Sequence, residues 1–454
     1  MMPVLSALVS GAATITTMVS IGFLVIVAAA AVAGALARGG RRERAADAYQ
    51  AIAASRFTIP VSLIVPASKS ASVSDTISSL LALNYPEFEV VVVTESGDEG
   101  RLAALKEHWG LEPKELFYRK TLHTAAVTRI FSSERDPRLV VIEKAPAGRA
   151  DALNSGVSFA RYRYVVTVSP DVVCDRDALL RLMSPALRDP AEVLAVTSYV
   201  ERDPMLAARA GRMHADASSV EETGWTRAGD DYQRLASIRS WMASRLAWHQ
   251  LRCGLPPRDG VTAWRRDAVM EFGGFSVAAA DPELDLLIRL QTAQLDGSTG
   301  RVVRTSEVFG QAPTLTIRGA ASRAARRQRA LVEALRALRR TPGSGDHMSW
   351  FGGQAERRTV RIVVAVELLI PVAQAVAATL IVAGAFAGWV APLAPWVTFL
   401  FLAFGYGVVS ASALLLRGGT PGAPSGADLK RLLIRAPLEF AVYRPALVWV
   451  RLVK

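Results

Sequence analysis

The chain has 454 residues, 51% of them hydrophobic, and a formal net charge of +12. That length allows a large core with further segments, and the positive mean hydropathy points to segments placed in lipid, so the basic balance reads as cytoplasmic charge of a membrane protein rather than a nucleic-acid surface. Cys174 and Cys253 have no CxxC partner and the five histidines lack HxxxH or HExxH spacing, which argues against a disulfide framework or a zinc site.

Residues 1–44 open the chain without a charge from Met1 to Ala37, and "RGGRRER" follows. An apolar run of that length spans a bilayer, and the basic flank on its C-terminal side puts that side in the cytoplasm. A cleaved leader ending at "AGALA" is the other reading, weakened by the missing basic start. Residues 45–56 read as a short helical linker.

From Phe57 the pattern changes. "PVSLIVPA", "FEVVVVTES", "RLVVIEK" and "YRYVVTVSPD" are β-rich runs, and "VSDTISSLLAL", "LAALKEHWG" and "GRADALNSGVSFAR" between them carry helical spacing. Alternation of near-continuous apolar strands with helices predicts an α/β domain with a mostly parallel sheet covered on both faces. No GxGxxG or GxxxxGK[ST] closes a strand, so dinucleotide and P-loop readings are weak. The tip of the fourth run delivers Asp171 to the sheet edge where such folds bind ligands.

Farther on, "EETGWTRAGDDYQ" reads as a loop, "IRSWMASRLAWHQL" as a helix, and "VTAWRRDAVMEFGGF" as strand, helix and Gly-Gly turn. "AADPELDLLIRL" opens a helix with Asp281, Glu283 and Asp285, which fit either a cap or a reactive carboxylate cluster. Asp175 and Asp177 read as caps of the helix after Asp171. Residues 318–345 hold a basic amphipathic helix with an apolar stripe of Leu331, Leu335 and Leu338, suited to an anionic leaflet. Residues 360–416 supply apolar length for two spans divided by "AGWVAPLAPW", with Glu367 near the start, and residues 417–454 form a cytoplasmic or interfacial tail. The folded domain then occupies residues 45–317.

"VSLIVPA", "SLLALNYPEFEVVVV", "GRADALNSG", "RRDAVMEFGGF", "LIRL" and the tail "EFAVYRP" together resemble membrane-integrated family 2 glycosyltransferases, the group of cellulose, hyaluronan and poly-N-acetylglucosamine synthases. The resemblance covers about residues 57–454. It implies a GT-A type nucleotide-sugar transferase domain with one N-terminal and two C-terminal transmembrane helices and basic interfacial helices. It also implies inverting transfer from a nucleotide-sugar, most simply a UDP-sugar, to a glycan or lipid-linked acceptor at the cytoplasmic face of a bacterial inner membrane. Mg2+ or Mn2+ would serve as cofactor, with other polysaccharide-synthesis subunits as partners and no nucleic acid.

The resemblance also assigns residues. Glu95 stands where an aspartate contacts the base, and "AGRADALN" places Arg149, Asp151 and Asn154 on the phosphate side. The D-x-D metal motif becomes "SPD", with Ser169 for the first acid and Asp171 as metal ligand. The base motif becomes "DPE", with Pro282 for glutamate and Glu283 as base. The Q-x-x-R-W motif becomes "RAARR": Arg326 keeps the central arginine, while Arg323 and Arg327 replace glutamine and tryptophan. Two readings follow: a divergent active transferase, or a pseudo-glycosyltransferase acting as scaffold or regulator of a synthesis complex.

Overall fold

The computed structural model describes residues 11, 58–67, 73–97, 99–115, 121–203, 224–243, 260–292, 300–340, 379–380, 383–388, 393–417 and 426–441. The expected N-terminal span, the linker and most of the first C-terminal span lie outside them.

Ten strands form one sheet in the order β3-β4-β5-β2-β1-β6-β9-β8-β10-β7. They are β1 (Val61–Pro66), β2 (Phe88–Glu95), β3 (Leu111–Pro113), β4 (Val127–Ser133), β5 (Leu139–Lys144), β6 (Tyr164–Thr167), β7 (Val173–Cys174), β8 (Val193–Asp203), β9 (Gly260–Arg265) and β10 (Arg301–Pro313). The centre, β5-β2-β1-β6, is parallel, as the buried runs predict. The sheet as a whole is mixed: β9 runs antiparallel to both β6 and β8, and β3, β4 and β7 also pair antiparallel. This corrects the mostly parallel expectation. Of the strands it omitted, β3 and β7 are two or three residues long, and β4, β8 and β10 interleave Thr, Ser, Glu or Arg with their apolar residues, which blurs the pattern even where β8 opens on the buried run Val193–Val196.

On the two faces lie α1 (Val73–Leu81), α2 (Glu99–Trp109), α3 (Gly148–Phe159) and α4 (Ala178–Arg188), followed in the chain by α5 (Gly224–Ala243), α6 (Arg266–Glu271), α7 (Pro282–Thr292), α8 (Ile317–Arg340), α9 (Ala394–Arg417) and α10 (Gly426–Ala441). The expected loop at 221–233 is instead helical from Gly224, and α5 buries Tyr232, Leu235, Ile238, Trp241 and Met242 against α9, α10 and Tyr199. Its apolar positions were masked in the sequence by buried polar ones, Asp231, Gln233, Arg234, Ser237 and Arg239. The main core lies between the sheet and α1, α2 and α4, and α3, α6 and α7 cover the opposite face with Leu153, Val157, Trp264, Leu286 and Leu290.

Among the described residues, no helix is long and apolar enough to cross a membrane. The last three turns of α9 are committed to protein: Val409, Ser410, Ala413, Leu414 and Arg417 are buried. Its first turns expose Trp396, Leu400, Phe404 and Val408. Helix α8 forms where the basic amphipathic pattern predicts, with Ala321, Arg327, Ala330, Leu331 and Ala334 on its buried side.

Candidate active site

The C-terminal ends of β1, β2 and β6 converge where α3 begins. Gly148 has φ +84°, a left-handed conformation open to glycine, and it turns the chain from β5 into α3. The first N–H groups of a helix need acceptors, and here the acceptor comes from a neighbouring strand. Glu95 Oε1 accepts from Ala147 N at 3.1 Å and Gly148 N at 2.8 Å. Glu95, expected to meet a nucleobase, is therefore tied to the start of α3, and a base would approach beside this capped end.

Asp151 and Asn154 are buried rather than turned to a ligand. Asp151 pairs with the fully buried Lys144 (Oδ1 to Nζ, 2.6 Å) and accepts from Ala125 N at 3.0 Å. Asn154 clamps Phe275 by both backbone groups, donating to Phe275 O (2.9 Å) and accepting from Phe275 N (2.7 Å). Their part in the expected phosphate motif is to fix α3 against the sheet and against the Gly273-Gly274 turn. Arg149, on the same helix, is the member that reaches outward: its Nη2 lies 2.8 Å and its Nε 3.3 Å from Glu283 Oε2.

Glu283 sits in the first turn of α7. Asp281 caps that turn, accepting from Leu284 N at 3.1 Å, and Pro282 takes the first helical position, where a missing N–H costs nothing. The "DPE" sequence thus reads locally as a helix start that also presents two carboxylates. Desolvation, together with the Glu283 charge, pushes the Asp281 carboxyl above its usual range, against the pull of the Leu284 N–H, Arg327 and Arg149. Desolvation opposes the Arg149 cation, yet Glu283, Asp281 and Asp171 outweigh it and hold its pKa above the ordinary arginine value. Arg149, Glu283, Asp281 and Asp171 therefore form one electrostatic group drawn from three distant parts of the chain.

Asp171 follows β6 in the turn closed by Val172 N to Ser169 O at 3.2 Å, and Thr76 Oγ1 donates to Pro170 O at 3.0 Å. Its Oδ2 lies 3.5 Å from Arg202 Nη1. Arg202, near the end of β8, is buried, and its guanidinium donates to Pro313 O at 2.7 Å. Of the "RAARR" arginines, Arg327 is buried and its charge acts on Asp281, while Arg326, expected to clamp the diphosphate, is exposed. The helical phase decides this: the buried face of α8 runs through Ala321, Arg327, Ala330, Leu331 and Ala334. Glu333 on the same helix accepts from Ala280 N at 3.1 Å, which docks α8 over the loop before α7. Arg323 is half-buried. Asp177 occupies the position before α4 without a side-chain cap bond, its carboxylate taking Asn84 Nδ2 at 3.0 Å, and Asp175 pairs with Arg181.

Arg202 and Lys144 were not singled out by sequence. Both close an apolar strand with a charge, in "YVERD" and "VVIEK", and that pattern is the signal that was available.

A divalent cation needs hard oxygen donors, usually more than one carboxylate, phosphate or water. Around Asp171 the second acid is absent, Ser169 stands in its place, and the one carboxylate has an arginine beside it. Among the described residues, no group of three or more His, Cys, Asp or Glu could hold a metal. The donor set does not fit the expected Mg2+ or Mn2+.

Residues 62–271 match the profile "Glycosyl transferase family 2". A poly-β-1,6-N-acetyl-D-glucosamine synthase of Staphylococcus epidermidis is 28% identical over 122 residues, 27% of this chain and 24% of its own length. The Staphylococcus aureus enzyme of that name is 25% identical over the same length. The matched stretch thus spans about a quarter of these curated relatives. Among solved structures, a mannosyltransferase from Pyrobaculum calidifontis in complex with GDP-Man and Mn2+ aligns with TM-score 0.49 and 18% identity, covering 92% of this chain and 99% of that one. Glucosyl-3-phosphoglycerate synthase from Mycobacterium tuberculosis, with Mn2+, UDP and phosphoglyceric acid, aligns with TM-score 0.35 and 16% identity over 65% of this chain and 84% of that one. Residues 62–271 are thus similar to glycosyltransferase family 2 domains, and they fold as an α/β unit on a mixed sheet.

Proposed function

We propose that the chain is an inverting glycosyltransferase that moves a sugar from a nucleotide donor, a UDP-sugar in the first instance, to a glycan or lipid-linked acceptor. The observation that carries this reading is the Arg149–Glu283 pair at the C-terminal sheet edge, with Asp171 and Asp281 beside it. An incoming diphosphate competes for the Arg149 guanidinium, whose planar fork matches phosphate oxygens. Losing that partner frees Glu283 to accept the proton of the acceptor hydroxyl. The hydroxyl oxygen bonds to the anomeric carbon from the face opposite the leaving group. The carbon–oxygen bond to the diphosphate breaks, its electron pair staying on the phosphate oxygen, and the configuration inverts.

The domain is placed at the cytoplasmic face of a bacterial inner membrane. The charge-free N-terminal run, the basic α8 and the exposed apolar residues of α9 support that placement. A scaffold or regulatory role beside other polysaccharide-synthesis subunits is the second reading, favoured by the engagement of both Glu283 and Asp171 with arginines.

The test is transfer by the purified full-length chain over a panel of UDP- and GDP-sugars. Glu283→Gln is expected to lower turnover by about 10²–10⁴-fold, the usual weight of a general base, with nucleotide binding retained. Nucleotide binding without any turnover by the unaltered chain would replace the enzyme reading with the scaffold.

A further inference from the structure

The metal expected at Asp171 meets a site already furnished with cations. Arg202 is packed in place: its side chain is 5% exposed, with Nη1 3.5 Å from Asp171 and bonded to the carbonyl of Pro313, so its charge is fixed before any ligand arrives. Ser237 on α5 accepts from Arg202 N at 3.2 Å and holds the backbone as well. Arg149 approaches from α3, 35% exposed and therefore open to a ligand on one side. Arg327 is buried on α8, which is docked through Glu333, and its charge favours the Asp281 carboxylate. Two guanidiniums, from α3 and β8, thus meet the carboxylates of Glu283 and Asp171 at the sheet edge. A divalent ion at Asp171 would have to enter beside Arg202 with one carboxylate to bind it. An anion entering the same place meets the Arg149 and Arg202 guanidiniums and competes for them with Glu283 and Asp171.

Resting on the transferase reading above, we propose that this site holds the diphosphate of its donor by guanidinium groups, those of Arg149 and Arg202, in place of a divalent metal. Asp171 then positions Arg202 and is not a metal ligand. Arg202 is a donor-binding residue, and the leaving diphosphate is stabilised by fixed hydrogen-bond donors whose charge does not depend on the supply of metal.

Binding of UDP and of GDP to the purified full-length chain, measured calorimetrically in EDTA and again with Mg2+ or Mn2+, separates the alternatives. The expected dissociation constants agree within about 2-fold across the three conditions. Asp171→Asn is expected to keep or tighten binding, and Arg149→Gln to weaken it by about tenfold, the loss of one charge-assisted contact. Arg202→Gln is expected to weaken binding by at least about tenfold with its melting transition preserved. If that variant does not fold, the EDTA and Asp171→Asn arms decide. Binding that requires the metal and disappears in Asp171→Asn overturns the proposal and leaves the transferase reading standing. Absence of UDP and GDP binding under all conditions overturns both.

Discussion

Asp281 shows how much one side chain is asked to do. Its carboxylate caps α7, lies beside Glu283, and is pulled toward Arg149 and Arg327 while desolvation raises its pKa. A carboxyl whose folded pKa lies above its unfolded value costs stability once pH exceeds the ordinary aspartate range, and the cost vanishes below that range. Asn caps as well as Asp without the charge. Asp281→Asn should therefore raise the melting temperature at neutral pH, with the gain fading below about pH 4, whereas Asp281→Ala should lose the cap, about 1 kcal/mol. Thermal melts of both variants across pH check this. A gain for Asn that persisted at low pH would remove the electrostatic explanation. Against the family pattern the chain resembles, Ser169 and Pro282 stand where acids are expected and Arg323 and Arg327 where neutral side chains are, so all four differences shift the charge in the positive direction. That drift was readable in sequence, but which arginine is buried was not. Arg326 and Arg327 differ by one residue, about 100° on a helix, and only packing of α8 fixes the phase.

At the scale of elements, α3 is held to the sheet by close approach. A Cβ added at Gly156 would lie 2.4 Å from Ile64 Cγ2 on β1, within a fully buried contact. Alanine would gain roughly 1 kcal/mol of helix propensity, but overpacking costs about 1–3 kcal/mol in a core and Ile64 has no free direction to move. Gly156→Ala is expected to lower stability by up to about 2 kcal/mol by that balance, seen as a lower urea midpoint with unchanged slope. An unchanged midpoint would mean that the contact relaxes. The central strands and α3 were legible because buried β-branched runs and a helical period occur together there. Strands β8 and β10 and the part of α5 before Ile238 were not, because their buried faces include Thr197, Ser198, Glu201, Arg202, Asp231 and Arg234. These polar groups are satisfied by partners far along the chain, which no local pattern records.

Across the whole molecule, α5, α9 and α10 are joined to the sheet by buried ion pairs. Arg239 on α5 pairs with Glu439 on α10 and donates to Ser410 on α9 at 2.7 Å. Arg417 at the end of α9 lies 2.6 Å from Glu201 on β8 and stacks over Trp241. Glu201 and Arg202 are consecutive, so the strand that anchors the C-terminal helices also supplies the cation beside Asp171. Breaking one member of a buried pair strands the other charge, at a cost of about 3–5 kcal/mol. Glu439→Gln should therefore lower the unfolding free energy by about 3–5 kcal/mol, read as a lower denaturation midpoint, and expose α10 to trypsin. A midpoint within experimental error of the unaltered chain would show that Arg239 is held by Ser410 and its surroundings instead.

The sequence by itself determined the α/β centre, the strand tip that carries Asp171, the helix that carries Arg149 and the helix start that carries Glu283. Each depends on near-neighbour spacing: period 2, period 3.6, or a cap preceding a proline. Tertiary structure alone decided that the sheet is mixed, that Asp151 and Asn154 face inward, that Arg149 meets Glu283, and that Arg202 stands where a metal was expected. Several of those outcomes join residues far apart in the chain, Asp171 with Arg202 and Arg149 with Glu283 among them, and the energies that select them, buried charge pairing and helical phase against a neighbour, exist only once the elements have packed.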